Sequence, residues 1–293
     1  MTSPSTAADR RDGRKYAIVT GGNSGIGLAT AQGLAAQDCC VDITVRSAEK
    51  GRAAVQAINA ATGNSRVGYR ILDLASLASV RDFTAQVVSD TEKLDLLIAN
   101  AGVVTSKRTE TADGFEMMFG VNHLGHFVLV NGLLDVVKAA APSRIVIVAS
   151  GAHKFAKDGI PFDDLQSERS FSSMKVYGQS KLANMLFTRE LAKRLDGTGV
   201  TVNSVHPGAV RTRLARDGDA GLLGDLAMRV VSPFFRSPEK GAATTLHVAT
   251  EPSLATTTGQ YFANSKPETT APTAQDDAAA ERLWSISEEL TAP

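Results

Sequence analysis

"TGGNSGIG", residues 20–27, decides the fold. The apolar run "YAIVT" leads into it, a helical pattern follows, and a second apolar run, "CVDITV", comes next. Strand, glycine turn, helix and strand in that order form the context in which a glycine-rich string binds a dinucleotide. There Gly21 permits the tight turn, Gly25 lets the backbone approach a pyrophosphate, and Gly27 lets the helix pack closely. The helix N-terminus offers unpaired N–H groups and partial positive charge to the phosphates. Taken alone, the string reads as a flexible turn; its neighbours weigh against that.

Outward from this turn, short runs rich in Val and Ile alternate with longer helical stretches. Residues 16–20, 40–45, 67–72, 94–100, 144–150 and 200–205 read as strands, and 259–262 as a seventh. Several are nearly continuous in apolar character, as strands buried on both faces are, which predicts a parallel sheet. Helices are predicted over 26–36, 48–61, 77–91, 114–140, 174–195 and 238–249. The alternation specifies an α/β, doubly wound, mostly parallel seven-stranded sheet with helices on both faces. No repeat or linker divides it, so a single domain over 14–264 is expected. Residues 1–13 read as a flexible extension and 265–293 as a loosely packed one, rich in Ala, Thr, Pro, Glu and Asp.

Composition narrows the function. Lys plus Arg and Asp plus Glu are 31 each, so the formal net charge is zero, which argues against a chain-wide grip on nucleic acid. Hydrophobic residues make up 43%, ordinary for a globular protein. The two cysteines, Cys39 and Cys40, are adjacent in a predicted buried strand and read as core residues rather than a disulfide framework. The polar start "MTSPSTAADRRDGRK" matches neither signal peptide nor anchor, and no run of about 18 apolar residues occurs. A cytoplasmic location is expected.

After the second strand, where an acidic residue would hold the ribose 2′-hydroxyl of NAD, stand Val45 and Arg46. A guanidinium suits a 2′-phosphate, so NADP(H) is the expected cofactor, with Lys50 adding charge. Solvated surface residues are the plainer alternative for both. Asp42 lies inside the strand and is not assigned to the ribose. Asp73 and Leu74 follow the third strand, and Asn100, Ala101 and Gly102 the fourth, at the carboxyl ends where open α/β sheets bind ligands.

"YGQSK", residues 177–181, places Tyr177 and Lys181 one helical turn apart on one face. That spacing arises often by chance. Here "TGGNSGIG", "NAG", "VNHLGHF", a strand ending in Ser150, "YGQSK" and "HPGAVRT" occur in one order. Together they resemble the short-chain dehydrogenase/reductase family, whose fold is Rossmann-type. "VRSAEKG", "IPFDDLQSE" and "SKLANMLFTRELAKRLDGTGV" resemble its retinol-dehydrogenase-like branch. The similarity covers residues 14–264, and the branch mostly uses NADP(H).

The resemblance implies that Tyr177 is the acid/base, Lys181 its electrostatic tuner and ribose partner, and Ser150 the group orienting the substrate oxygen. It makes Asn122 the anchor of a water leading from Lys181 to solvent. A nearby ammonium is expected to lower the Tyr177 pKa from about 10. Further cofactor contacts implied are Asn23, Ser24, Ile26, Pro207, Gly208, Val210 and Thr212. The substrate implied is a carbonyl or alcohol, and the assembly a homodimer or homotetramer. Two departures stand out: the fifth strand ends Ala149-Ser150 where two serines are common, and the apolar N-terminal anchor of vertebrate members is missing. Membrane residence and retinoid specificity are therefore not carried over.

His123 and His126 lie three apart on a predicted helix, but no convergent ligands accompany them, so no metal is expected. A Ser150–His153 hydrolase lacks the Gly-x-Ser-x-Gly elbow. The stretch from Leu222 to Phe235 carries eight large apolar residues and reads equally as a packed amphipathic helix or as a lid over a lipophilic substrate. Two alternatives to a carbonyl oxidoreductase stay open: a dinucleotide-binding scaffold, and a reductase of activated C=C bonds.

Overall fold

The computed structural model of the chain describes residues 13–208 and 237–293. One eight-stranded sheet forms the middle layer, in the order β3-β2-β1-β4-β5-β6-β7-β8. The strands are β1 (Tyr16–Val19), β2 (Cys40–Val45), β3 (Val67–Ile71), β4 (Leu96–Ala99), β5 (Ser143–Val148), β6 (Val200–His206), β7 (Tyr261–Ala263) and β8 (Lys266–Pro267). Every pairing is parallel except β7 with β8, an antiparallel return of two residues that adds an eighth strand to the seven expected. The strands were legible as apolar runs because β1, β2 and β4 are buried along their whole length.

Helices cover both faces. On one side α1 (Gly25–Ala35), α2 (Ala48–Thr62) and α7 (Pro238–Thr250) pack Leu34, Ile58 and Val248 against the sheet. On the other, α3 (Leu77–Asp90), α5 (Gly125–Ala139) and α6 (Ser173–Arg194) bring Phe83, Leu133 and Phe187 together. Local signals set the ends: Ser76 accepts from the Ser79 amide to cap α3, and α2 stops at Gly63 with φ 69°. The helix predicted over 114–140 is interrupted. A short α4 (Met117–Phe119) runs into a π turn at Gly120–Leu124 before α5 begins. The stretch Met117–Ala139 is long and apolar enough to cross a membrane, yet most of it is buried inside the protein, as in a core helix.

One sequence reading changes here. Residues 265–293 are not a loose extension: Asp277–Leu290 forms α8, capped by Asp276, and it buries Ala280, Leu283, Trp284 and Ser287. These fall at i, i+3, i+4 and i+7, one stripe of an otherwise polar helix. Trp284 stands 5.0 Å from the Phe127 ring and 5.7 Å from that of Phe187, with the Arg194 guanidinium 4.1 Å above it. Asp42, the carboxylate set aside in β2, is fully buried; it accepts from the Tyr16 hydroxyl at 2.7 Å and from Arg70 Nε at 2.9 Å. Cys39 and Cys40 are buried thiols, and burial pushes Cys39 up to about 11.

The chain leaves β3 and returns to lay β4 beside β1, on the side away from β2. That reversal opens a crevice at the carboxyl ends of β1 and β4. Thr20 follows β1 and Asn100 follows β4, and the two are hydrogen-bonded to each other.

Candidate active site

The glycine turn follows from β1 directly. Gly21 and Gly25 adopt φ of 66° and 54°, a region that side chains with a Cβ rarely enter. A Cβ on Gly27 would come within 2.4 Å of the Gly21 carbonyl oxygen and 2.5 Å of Asn100 Nδ2, so only glycine lets α1 approach the turn this closely. Ser24, the N-cap of α1, makes no side-chain cap, and the first turn holds no acidic residue. The helix N-terminus, with Asn23, Ser24 and Ile26 around it, therefore suits an external anion. This cradle fits the pyrophosphate of a dinucleotide.

Beside the turn runs β2, with Val19 paired to Ile43. Arg46 is exposed just past the end of β2, and Lys50 is exposed on α2. Asp73 holds its own loop, accepting from the Ala75 amide at 3.0 Å. Leu74 is buried, which leaves its backbone as the part available to a ligand. The loop after β4 is tied directly to the end of β1: the amides of Asn100 and Ala101 both donate to Thr20 Oγ1, at 2.8 and 2.9 Å. Gly102 borders Lys181 and Asn122: a Cβ there would lie 3.4 Å from Lys181 Nζ and 3.2 Å from Asn122 Oδ1.

Tyr177 and Lys181 come from α6, Ser150 from the end of β5, and Asn122 from the π turn. Lys181 is buried, with its ammonium 5.7 Å from the centre of the Tyr177 ring and donating to the Val148 carbonyl at 3.0 Å. Asn122 clasps Val103 in both directions: Oδ1 accepts from its amide at 2.7 Å and Nδ2 donates to its carbonyl at 3.0 Å. The same Nδ2 donates to Ser180 Oγ at 3.0 Å, and Ser180 donates to the Tyr177 carbonyl at 2.8 Å.

Burial acts on both titrating groups. It raises the Tyr177 pKa above the ordinary phenol value, and a hydrogen bond with Ser150 opposes the rise. It lowers Lys181 to about 8. A lowering of the Tyr177 pKa by the nearby ammonium is expected from the sequence; in the ligand-free protein the net direction is upward, with burial the largest cause. The ammonium bonds a backbone carbonyl above the ring, and desolvation moves both groups toward their neutral forms.

Other sequence candidates take different places. His123 lies against Phe119, ring centres 5.3 Å apart, and its Nε2 meets Ser287 Oγ at 2.9 Å. His153 Nδ1 meets the carbonyl of Ser150 at 2.7 Å, not its hydroxyl. Pro207 and Gly208 follow β6, whereas Val210, Thr212 and the stretch from Leu222 to Phe235 lie outside the described residues. Sequence reasoning missed His206, whose Nδ1 accepts from the Gly151 amide at 3.1 Å and ties the turn after Ser150 to β6. It also missed Asn184, which shares the Val148 carbonyl with Lys181. A cleft of about 450 Å³ lies elsewhere, lined by Pro161, Phe162, Lys175, Gln179 and Arg282 among others. Lys175 and Gln179 are about half a turn around α6 from Tyr177, so that cleft is not on the Tyr177 face of the helix.

The chain is similar to known proteins along most of its length. The short chain dehydrogenase family profile matches residues 15–162 and 164–221. Human retinol dehydrogenase 12 is 46% identical over 276 residues, covering 94% of this chain and 86% of that protein. Mouse retinol dehydrogenase 14 is 45% identical over 285 residues, covering 94% and 85%. Among solved structures, an uncharacterised protein from Mycobacterium paratuberculosis is 34% identical, with a TM-score of 0.76 over 99% of this chain and 98% of that one. A short chain dehydrogenase from Burkholderia cenocepacia, solved in complex with NADP, is 28% identical with a TM-score of 0.67, covering 85% and 95%. The chain belongs to the short-chain dehydrogenase/reductase family, in its retinol-dehydrogenase-like branch.

Proposed function

We propose that the protein is an NADP(H)-dependent oxidoreductase that interconverts a lipophilic carbonyl compound and its alcohol. The observation that carries this is the meeting of Ser150, Tyr177 and Lys181 near the carboxyl end of β5: Ser150 shares a hydrogen bond with Tyr177, Lys181 lies over the Tyr177 ring, and Gly102 borders Lys181. Bound NADP(H) supplies or accepts the hydride at the substrate carbon. The chain's own residues manage the oxygen and its proton. Ser150 donates a hydrogen bond to the substrate oxygen, and Tyr177 gives its proton to that oxygen in reduction and takes it back in oxidation. A Tyr177 held in its protonated form by burial suits the reductive direction. Lys181 and Asn122 steady the helix face and the loop that border the crevice.

Arg46 supports the choice of NADP(H): it is an exposed cation past β2, beside the glycine turn, where an NAD-binding site would place a carboxylate. The NADP-bound relative agrees with this choice. Two apolar side chains support a lipophilic substrate. Phe155, 53% exposed, packs against α6 at Gly178, and Met174, 49% exposed, lies one turn before Tyr177. The relatives named for retinol, a long apolar alcohol, point the same way. Incubating the purified protein with NADPH and a long-chain aldehyde, followed by product analysis, tests the reading. The corresponding alcohol is expected; a saturated aldehyde formed from an unsaturated one would instead identify a C=C reductase.

A further inference from the structure

We propose that His126 is a positioning residue that locks the cofactor turn to the catalytic helix through the Thr20 hydroxyl on one side and the Asn122 carbonyl on the other. The proposal rests on the reading of the site as a dinucleotide oxidoreductase, but it is drawn from a different set of contacts. His126 is 1% exposed, on the first turn of α5. Its Nδ1 lies 3.1 Å from the Asn122 carbonyl oxygen, and its Nε2 lies 3.0 Å from Thr20 Oγ1.

Donor and acceptor counting fixes the ring. A carbonyl only accepts, so Nδ1 carries the proton and Nε2 presents its lone pair. Thr20 must then donate to Nε2. Its other acceptor, the Ile98 carbonyl, is farther away at 3.4 Å. Thr20 Oγ1 is thereby left to accept from the amides of Asn100 and Ala101, and all its hydrogen-bonding capacity is used. The neutral ring this requires agrees with burial, which lowers His126 to about 4; the charge on Lys181 pushes the same way.

The result is one line of hydrogen bonds. It runs from the glycine turn at Thr20, through His126, to Asn122 in the π turn. From there it passes through Ser180 to the backbone of Tyr177. The π turn shifts the hydrogen-bond register, with the Gly125 amide bonding to Gly120 five residues back. His126 follows that shift immediately and holds the Asn122 carbonyl from the side chain. A phenylalanine of similar size would fill the space but leave the Thr20 hydroxyl and the Asn122 carbonyl without this partner. Glutamine can both donate and accept. Misplacing a reacting group by about 1 Å can cost roughly a hundredfold in rate, so a loosened line should appear in turnover.

The test joins a readout without cofactor to one with it. In the ligand-free protein, nitrogen-15 NMR of the imidazole should show the Nδ1–H tautomer, unchanged between about pH 5 and 8. Hydrogen exchange at the Asn100 and Ala101 amides should be faster in His126→Phe and in Thr20→Val than in wild type. With NADPH and a long-chain aldehyde at saturation, His126→Phe and Thr20→Val should each lose at least about tenfold in kcat. His126→Gln should stay within about threefold of wild type, and the double variant should be no worse than either single one. An Nε2–H tautomer, unaltered exchange in Thr20→Val, a folded His126→Phe with kcat within twofold of wild type, or multiplicative losses in the double variant would each overturn the proposal. The NMR and exchange results hold whether or not NADPH proves to be the cofactor, so failure here is separable from failure of the proposed function.

Discussion

Lys181 stands over the ring of Tyr177, with the ammonium 5.7 Å from the ring centre and bonded to the Val148 carbonyl. Burial keeps the phenol protonated and draws Lys181 down to about 8. On the proposed reading this phenol is the proton donor, and Ser150 is the group that opposes the rise in the Tyr177 pKa. Removing the hydroxyl while keeping the ring isolates this role. Tyr177→Phe should fold and bind NADPH as wild type does, and should lose at least about a hundredfold in turnover, the scale of general acid catalysis. Steady-state rates beside a fluorescence titration of NADPH check both halves.

Lys181 carries a cost in the ligand-free protein. Below about pH 8 the folded state holds a buried ammonium at full penalty. Between about 8 and 10.5 the folded state releases that proton while the unfolded chain keeps it, so this group's contribution to stability improves as pH rises. Lys181→Met should therefore be more stable than wild type at pH 7, by on the order of 2 kcal/mol after the lost Val148 hydrogen bond is subtracted. The gap should close as pH approaches 10.5, and turnover should be abolished. Urea unfolding at several pH values measures it, and a variant less stable at pH 7 would count against the burial argument.

Arg46 should decide between the two nicotinamide cofactors. A charge-assisted hydrogen bond contributes about 1.5–3 kcal/mol, or roughly ten- to a hundredfold in affinity. Wild type should prefer NADPH to NADH by that factor, and Arg46→Asp should lose most of the preference. Titration calorimetry with both cofactors reads it directly; equal affinities in the wild type would remove the case for NADP(H).

Trp284 ties α8 to α5 and α6 through Phe127, Phe187 and Arg194. Trp284→Ala should cost about 3–5 kcal/mol, as aromatic truncations in a core do. Chemical denaturation gives the figure. A loss below about 1 kcal/mol would mean that the helix contributes little to the fold.

The parts legible in the sequence were those whose physics is local. Strands such as β4 and β5 show themselves because burial on both faces demands an apolar run. The glycine turn shows itself because its backbone geometry excludes side chains, and Tyr177 with Lys181 because one helical turn brings them to one face. What escaped reading depends on partners far apart in the chain. Thr20 and His126 are separated by 106 positions, and Gly151 and His206 by 55. Nothing in "VNHLGHF" announces that its second histidine will meet the end of β1. The helix α8 escaped for another reason: its buried stripe is diluted by charge, and its composition resembles that of an unpacked tail. The phenol's raised pKa could not be read at all, since it follows from how deeply Tyr177 is buried.

The most direct test of the central claim is oxidation of NADPH by the wild-type protein with straight-chain aldehydes of rising length. Turnover should occur, kcat/KM should climb with chain length as apolar surface is buried at about 25 cal/mol per Å², and Tyr177→Phe should abolish it across the series. A flat series, or a preference for a sugar or an acidic carbonyl compound, would contradict the lipophilic substrate. No turnover with any aldehyde or ketone and either cofactor would contradict the enzyme itself.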